Sequence, residues 1–226
     1  VRGLRPQEIQ MTPSQIETAA RRRLNADSST FWASAEIIEN YLYEACLILS
    51  RECRVIETQY TATSVANQSE YFKPSRAIEI YRITYNSVKL QPIGFREYDS
   101  LNNSAQVGIQ KGTPSYYFLF DDVINLFPVP DTAGKTIKIF SIDEHATVTS
   151  TSSLEIPTVY HPALIDYVAY LMAIKDSDPR ASVYKQNWES ELVKINRHMK
   201  RRKVGDNFRI VNREEDLQQT WYKGIV

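Results

Sequence analysis

A chain of 226 residues, 42% of them hydrophobic, can bury one substantial core or a helical and a β-layer that share one. Its 27 basic and 27 acidic residues cancel, which excludes a protein whose whole surface wraps nucleic acid and leaves charge a local role only. No apolar run approaches the roughly 20 residues that cross a bilayer as a helix, and the N-terminus has no signal-peptide pattern.

Residues 1–11 are a polar arm with no periodicity that would bury it on its own domain, which suits docking on a neighbour. The chain opens at Val1 rather than Met, as expected where a short leader is removed or left out. Thr12-Pro13 predicts an N-cap with proline at the first helical position, Ser14 and Glu17 have capping-box spacing, and the helix runs over about residues 13–25. Its stripe of Ile16, Ala19, Ala20 and Leu24 is narrow, so Arg21, Arg22 and Arg23 read as a solvated face. Ala35, Ile38, Leu42, Ala45, Leu49 and Cys53 then recur every three or four residues and predict a core helix over 31–54, with Tyr41 and Tyr43 as flanking packing residues. On that helix Cys46 and Cys53 lie roughly 10 Å apart along the axis, too far for a disulfide, and read as buried thiols of a reducing compartment.

From Val55 to Val65 the pattern is that of a strand, and a polar turn follows at residues 67–70. Residues 78–85 pair across Asn86-Ser87 with 88–93, setting Tyr85, Ile83 and Tyr81 opposite Val88, Leu90 and Pro92 on a dry face. Arg82, Thr84, Lys89 and Gln91 fall on a wet face, and Pro92 places its strand at an edge. Residues 95–101 predict a short helix. Residues 102–112 show no periodic pattern and carry one charge, Lys111, so Asn102, Asn103, Ser104, Gln106, Gln110 and Lys111 are candidates for a contact or channel loop.

Residues 112–142 are dense in β-branched and aromatic residues between turns. A two-residue turn at Asp121-Asp122 pairs Phe120 with Val123, Phe118 with Asn125 and Tyr116 with Phe127, while Leu119-Ile124 and Tyr117-Leu126 line the opposite face. Both faces are apolar. Such a hairpin needs cover on both sides and belongs at the centre of a sheet, with residues 136–142 as the next strand and helices or a second sheet against it. After a Thr/Ser-rich linker, His161-Pro162 opens a third long helix with Leu164, Ile165, Val168, Leu171 and Met172 on one face. Asp176-Ser177-Asp178-Pro179 ends it and caps a fourth, whose stripe is Tyr184, Trp188, Leu192, Ile195 and Met199, giving an antiparallel helical hairpin. The expected fold is therefore α+β, a bundle of about four long helices beside an antiparallel β-sheet with extended arms at both ends. One domain covers residues 1–203, with the bundle in 12–54 and 160–203 and the β-layer in 55–150, and residues 204–226 are a polar-aromatic extension.

Chemistry is sparse. There is no Gly-rich phosphate loop, nucleophile elbow or zinc-spaced Cys/His cluster, and His145, His161 and His198 are scattered. Asp121-Asp122 and Asp176/Asp178 sit where turns and caps need Asp, so no catalytic, cofactor-binding or metal-binding residue is assigned. Residues 194–213, by contrast, concentrate eight basic side chains, Lys194, Arg197, Lys200, Arg201, Arg202, Lys203, Arg209 and Arg213, against the single acid Asp206. A helix C-terminus that favours cations explains Lys200 to Lys203. It does not explain the aromatic residues Phe208, Trp221 and Tyr222 that follow.

The order of elements adds to these signals. Two N-terminal helices, a β-meander whose hairpin reads Gly112-Thr-Pro-Ser-Tyr-Tyr and Asn125-Leu-Phe-Pro-Val-Pro-Asp131, and two closing helices with Asp178 between them resemble the head-to-tail adaptor (connector) proteins of tailed bacteriophages. The resemblance covers about residues 12–200. It implies a non-enzymatic subunit of a homo-oligomeric ring, usually of twelve copies, in the virion neck and in the host cytoplasm during assembly. Its partners would be the portal protein above and a tail tube or nozzle protein below, with double-stranded DNA in transient passage and neither membrane nor cofactor involved. Under that reading the basic segment, with Phe208, Trp221 and Tyr222, contacts the portal. A nucleic-acid-binding accessory protein using the same segment is the alternative, and an enzyme assembled from dispersed residues is the least supported.

Overall fold

The computed structural model describes residues 11–27, 29–103 and 110–204, with the backbone alone at residues 102, 103 and 202–204. The first helix, α1 (Pro13–Arg23), starts at the expected cap, but its box is Thr12 with Gln15: each side chain accepts from the other's backbone N–H, at 3.3 and 2.9 Å. Proline at the first helical position fixes the cap at Thr12, which makes Gln15 the third residue and frees Glu17 for another task. Glu17 is buried and accepts from Arg21 Nε at 2.9 Å and from Ser34 Oγ at 2.7 Å. Arg21 also donates to the carbonyls of Ser29 and Trp32, both at 2.8 Å. The arginine triplet is thus not a solvated face. Arg23 pairs with Asp166 on another helix, and Arg22 alone of the three is exposed.

The second helix begins later than the periodicity suggests, because Arg21 takes carbonyls of the turn that precedes it. A π-helical segment, Glu36–Leu42, leads into α2 (Tyr43–Cys53), and the wider π-turn buries both Ile37 and Ile38. The closing helices are α4 (His161–Lys175) and α5 (Ala181–Val204), with α3 described below. α4 is buried nearly all round and forms the middle of the bundle, against α1, the π-helical segment, α2 and α5. α1 and α2 have 11 residues each, α4 has 15 and α5 has 24, so two of the four bundle helices are short.

The β-layer holds two larger sheets where one was expected. The first has the order β1-β10-β3-β4, from β1 (Glu57–Thr63), β3 (Ala77–Tyr85), β4 (Val88–Lys89) and β10 (Thr136–Asp143). The second has the order β2-β8-β7-β5, from β2 (Glu70–Phe72), β5 (Gln91–Pro92), β7 (Tyr116–Phe120) and β8 (Val123–Phe127). A short parallel pair, β6 (Lys111–Gly112) and β9 (Val129–Pro130), sits beside them. The β7–β8 register is the expected one, Phe120 opposite Val123 through Tyr116 opposite Phe127. Its Tyr117, Ile124 and Leu126 meet Ile80, Ile83, Ile137 and Ile139 of the first sheet in one sandwich core.

The opposite face of the hairpin is covered by α3 (Phe95–Asn103) and not by the long helices. The Tyr98 ring lies 4.4 Å from that of Phe118 and 5.5 Å from that of Phe127, and Phe95 lies 5.8 Å from Phe118. The hairpin of β3 with the following strand also breaks earlier than expected. After Leu90 N–H donates to Ile83 at 3.0 Å, the chain crosses to the second sheet, where Gln91 N–H donates to Ser115 and β5 runs parallel to β7. Pro92 is therefore on an edge strand, but of the other sheet. A register shift opposite Phe140 and Ser141 turns Ile80 and Ile83 inward together, leaving Tyr81 half exposed and Thr84 buried, so the dry and wet faces do not alternate as simply as the sequence suggests.

Candidate functional site

α5 is held along one face and bare along the other. Trp188, Ile195 and Met199 are buried, Tyr184 Oη donates to the carbonyl of Arg23 at 2.7 Å, and Tyr160 Oη meets His198 Nδ1 at 2.7 Å. That anchoring turns Lys194, Arg197, Lys200 and Arg201 outward, all exposed. Spaced three or four residues apart, they form a cationic stripe roughly 10 Å long on the last turns of the helix. Lys194 pairs with Glu191 at 2.7 Å, whereas among the described residues no acid pairs with Arg197, Lys200 or Arg201. Arg202 and Lys203 continue the same helix. Phe208, Arg209, Arg213, Trp221 and Tyr222 lie outside the described residues.

The loop candidates separate. Asn102 and Asn103 are not loop but the last turn of α3, which continues past the expected boundary once its aromatic face is seated on the hairpin. Ser104 and Gln106 lie outside the described residues. Gln110 and Lys111 are exposed, and the Gln110 carbonyl accepts from Val129 N–H at 2.9 Å as β6 begins. These residues belong to the sandwich and the cationic stripe to the bundle, so the two candidate groups occupy different layers.

Two features escaped the sequence reading. One is an apolar row on the outer face of the second sheet: Phe72 pairs with Val123, which pairs with Phe120, and Phe72 is 87% and Phe120 63% exposed. The two-sided apolar pattern of the hairpin carried that signal, but α3 covers only part of the face. The other is a polar seam between bundle and sandwich. Arg76 Nη1 donates to both carboxylate oxygens of Glu155, at 2.9 and 2.8 Å, and Glu155 N–H donates to His145 Nε2 at 2.8 Å. His145 Nδ1 must then carry the proton shared with the Ala146 carbonyl at 2.6 Å, and burial holds the imidazole below its ordinary pKa. Deeper in the seam, buried Asp143 accepts from Tyr60 Oη and, at 2.6 Å, from Ser141 Oγ.

The seam joins layers and assembles no reactive pair. Among the described residues no group of His, Cys, Asp and Glu could hold a metal ion, and no helix is long and apolar enough to cross a membrane. Cys46 and Cys53 are buried, and burial pushes the Cys53 thiol up to about 11, which keeps it from the reactive thiolate form. Asp121 has a positive φ in the β7–β8 turn, and the Asp178 carboxylate accepts from Arg180 N–H at 2.8 Å, so both acidic pairs serve turns and caps. The described surface carries a cationic stripe, whose Arg197, Lys200 and Arg201 have no acidic partner among the described residues, and an apolar row.

No curated protein matches the chain. The family model described as SU10 adaptor protein matches residues 11–210, a span that holds the bundle, the sandwich and the cationic end of α5 and stops before Arg213, Trp221 and Tyr222. Bundle, sandwich and stripe thus fall inside one family match that takes in most of the chain, and the chain belongs to the SU10 adaptor protein family, the structural adaptors of a bacteriophage.

Proposed function

We propose that this adaptor is the subunit of a head-to-tail ring of twelve copies, the number that the resemblance implies, which docks beneath the portal, joins the tail to the capsid and lines the channel through which the genome leaves. The observation that carries this reading is the stripe of Arg197, Lys200 and Arg201, aimed outward from an anchored helix and unpaired among the described residues. A rigid cationic face suits an acidic groove on a protein partner, where charge sets register and on-rate. The tail that follows supplies Arg213, Trp221 and Tyr222 as further charge and as aromatic anchors. Gln110 and Lys111, with the loop before them, face the channel or the tail component. No catalysis is assigned.

The cationic stripe also suits duplex DNA, but a channel that must let DNA slide is poorly served by many phosphate contacts, each adding to a salt-dependent hold. The test is charge reversal, R197E/K200E/R201E, at three exposed positions that leave the helix anchors in place. The variant, like a chain truncated after Met199, is expected to stay folded and to lose capture by the portal protein, while duplex DNA binds weakly to all forms. Portal capture at full strength would overturn the reading, and salt-sensitive DNA binding that the reversal abolishes would transfer the stripe to nucleic acid.

A further inference from the structure

An edge strand exposes a row of backbone N–H and C=O groups, and proteins blunt such edges with short strands, proline, lysine or bulges. In the two larger sheets of this chain three of the four edges are blunted. β2 has three residues, β4 has two before the chain crosses away, and β5 has two, one of them Pro92. β1 is different. It pairs with β10 over seven residues without a register shift, and residues 58–63, Thr-Gln-Tyr-Thr-Ala-Thr, contain no charge, proline or glycine. Its residues Tyr60 and Ala62 pack on the sandwich core yet stay only half buried, and no described strand pairs with β1 on its outer side.

The chain also holds a segment with the complementary character. α5 is described as far as Val204, Gly205, a residue that commonly stops a helix, comes next in the sequence, and residues 207–211 read Asn-Phe-Arg-Ile-Val. Phe208 and Ile210 fall on one side of an extended chain and Arg209 and Val211 on the other, the pattern of a strand with one apolar face. The N-terminal arm is a poorer match, since Gly3 and Pro6 interrupt it.

We propose that residues 207–211 of one copy add as a strand to the β1 edge of the next copy, placing Phe208 or Ile210 over Tyr60 and Ala62. The inference rests on the ring reading and deepens it. A closed ring needs two different, mutually complementary surfaces on every subunit, and one strand donor with one open edge is such a pair. Backbone pairing supplies the hold and the alternate side chains supply the register, as in other cases of strand addition. Phe208 and Arg209 thereby join copy to copy, while the stripe on α5 and the residues beyond Arg213 remain for the portal.

The test uses full-length protein with the portal protein present. Thr61→Cys is mixed with single-cysteine variants at each of positions 208–211, so that a disulfide can form only between copies; Cys46 and Cys53 are buried and do not compete. Oxidation is expected to give a covalent dimer at alternate tail positions, and Ile210→Pro is expected to abolish ring particles by mass photometry while leaving the melting temperature of the subunit unchanged. Absence of cross-linking at all four positions overturns the proposal. So do rings of normal size from Ile210→Pro, an outcome that leaves the ring reading standing, whereas unaltered full-length protein that never forms a ring overturns both. A double variant that closes its disulfide within one chain faster than between chains overturns pairing between copies.

Discussion

Arg21, Arg22 and Arg23 look alike in a list of side chains, but Glu17 is buried one turn before Arg21, and Asp166 is buried across from Arg23. Removing one partner of such a pair leaves a charge buried without compensation, so these ion pairs are structural whatever their net contribution. His145 and His161 make the clearest titration case. Burial holds both below the ordinary value near 6.5, so the fold prefers the neutral rings, and His145 in particular must keep Nε2 unprotonated to accept from Glu155 N–H. The sign follows: their contribution is complete above about pH 6.5 and is lost as the pH falls, because the unfolded chain takes up the protons first. The melting temperature should therefore drop between about pH 7 and pH 5, and His145→Gln should flatten that slope. An unchanged slope in the variant would show that His145 carries none of it.

At the scale of elements, strong local rules were legible and switches between layers were not. The β7–β8 register, the Thr12 cap, the Asn86-Ser87 turn with both residues at positive φ, and the stripe of α5 follow from short-range chemistry that the sequence states directly. The crossing at Leu90 and the split of β10 from the hairpin depend on which sheet a strand joins, and alternation is the same in either. Phe127 tests the hairpin. Buried and edge-on to Tyr98 at 5.5 Å, it should cost about 3–5 kcal/mol as Phe127→Ala in chemical denaturation. Unchanged stability would mean that α3 does not seal that face. The segment 104–109 is expected to behave in the opposite way: deleting residues 105–108 should spare the melting temperature and, under the proposed ring reading, impair ring closure or tail attachment, and normal assembly by the deletion variant would remove the segment from the contact set. The cationic stripe was legible because eight basic residues stand out in a neutral chain, whereas the apolar row at Phe72 was hidden by the rule that hairpin faces are covered.

The whole molecule has two cores joined by a polar seam. One lies among α1, the π-helical segment, α2, α4 and α5, and the other lies between the sheets, so among the described residues no buried apolar cluster spans both. Arg76 with Glu155, Arg51 with Glu144 at 2.8 Å, and Arg54 with Glu79 at 2.8 Å bridge elements near their junction, and all are at least partly exposed, where ion pairs contribute little. Cooperativity between the layers should then be weak, since contacts within each core far outweigh those across the seam. The tryptophans make this measurable. Trp32 and Trp188 are both buried in the bundle, and the sandwich has none, so in a Trp221→Phe background fluorescence reports the bundle while far-UV circular dichroism reports both layers. Adding Phe127→Ala should lower the sandwich transition and leave the fluorescence midpoint in place, pulling the two curves apart in urea. If fluorescence and dichroism move together by the same amount, the seam couples the layers into one cooperative unit.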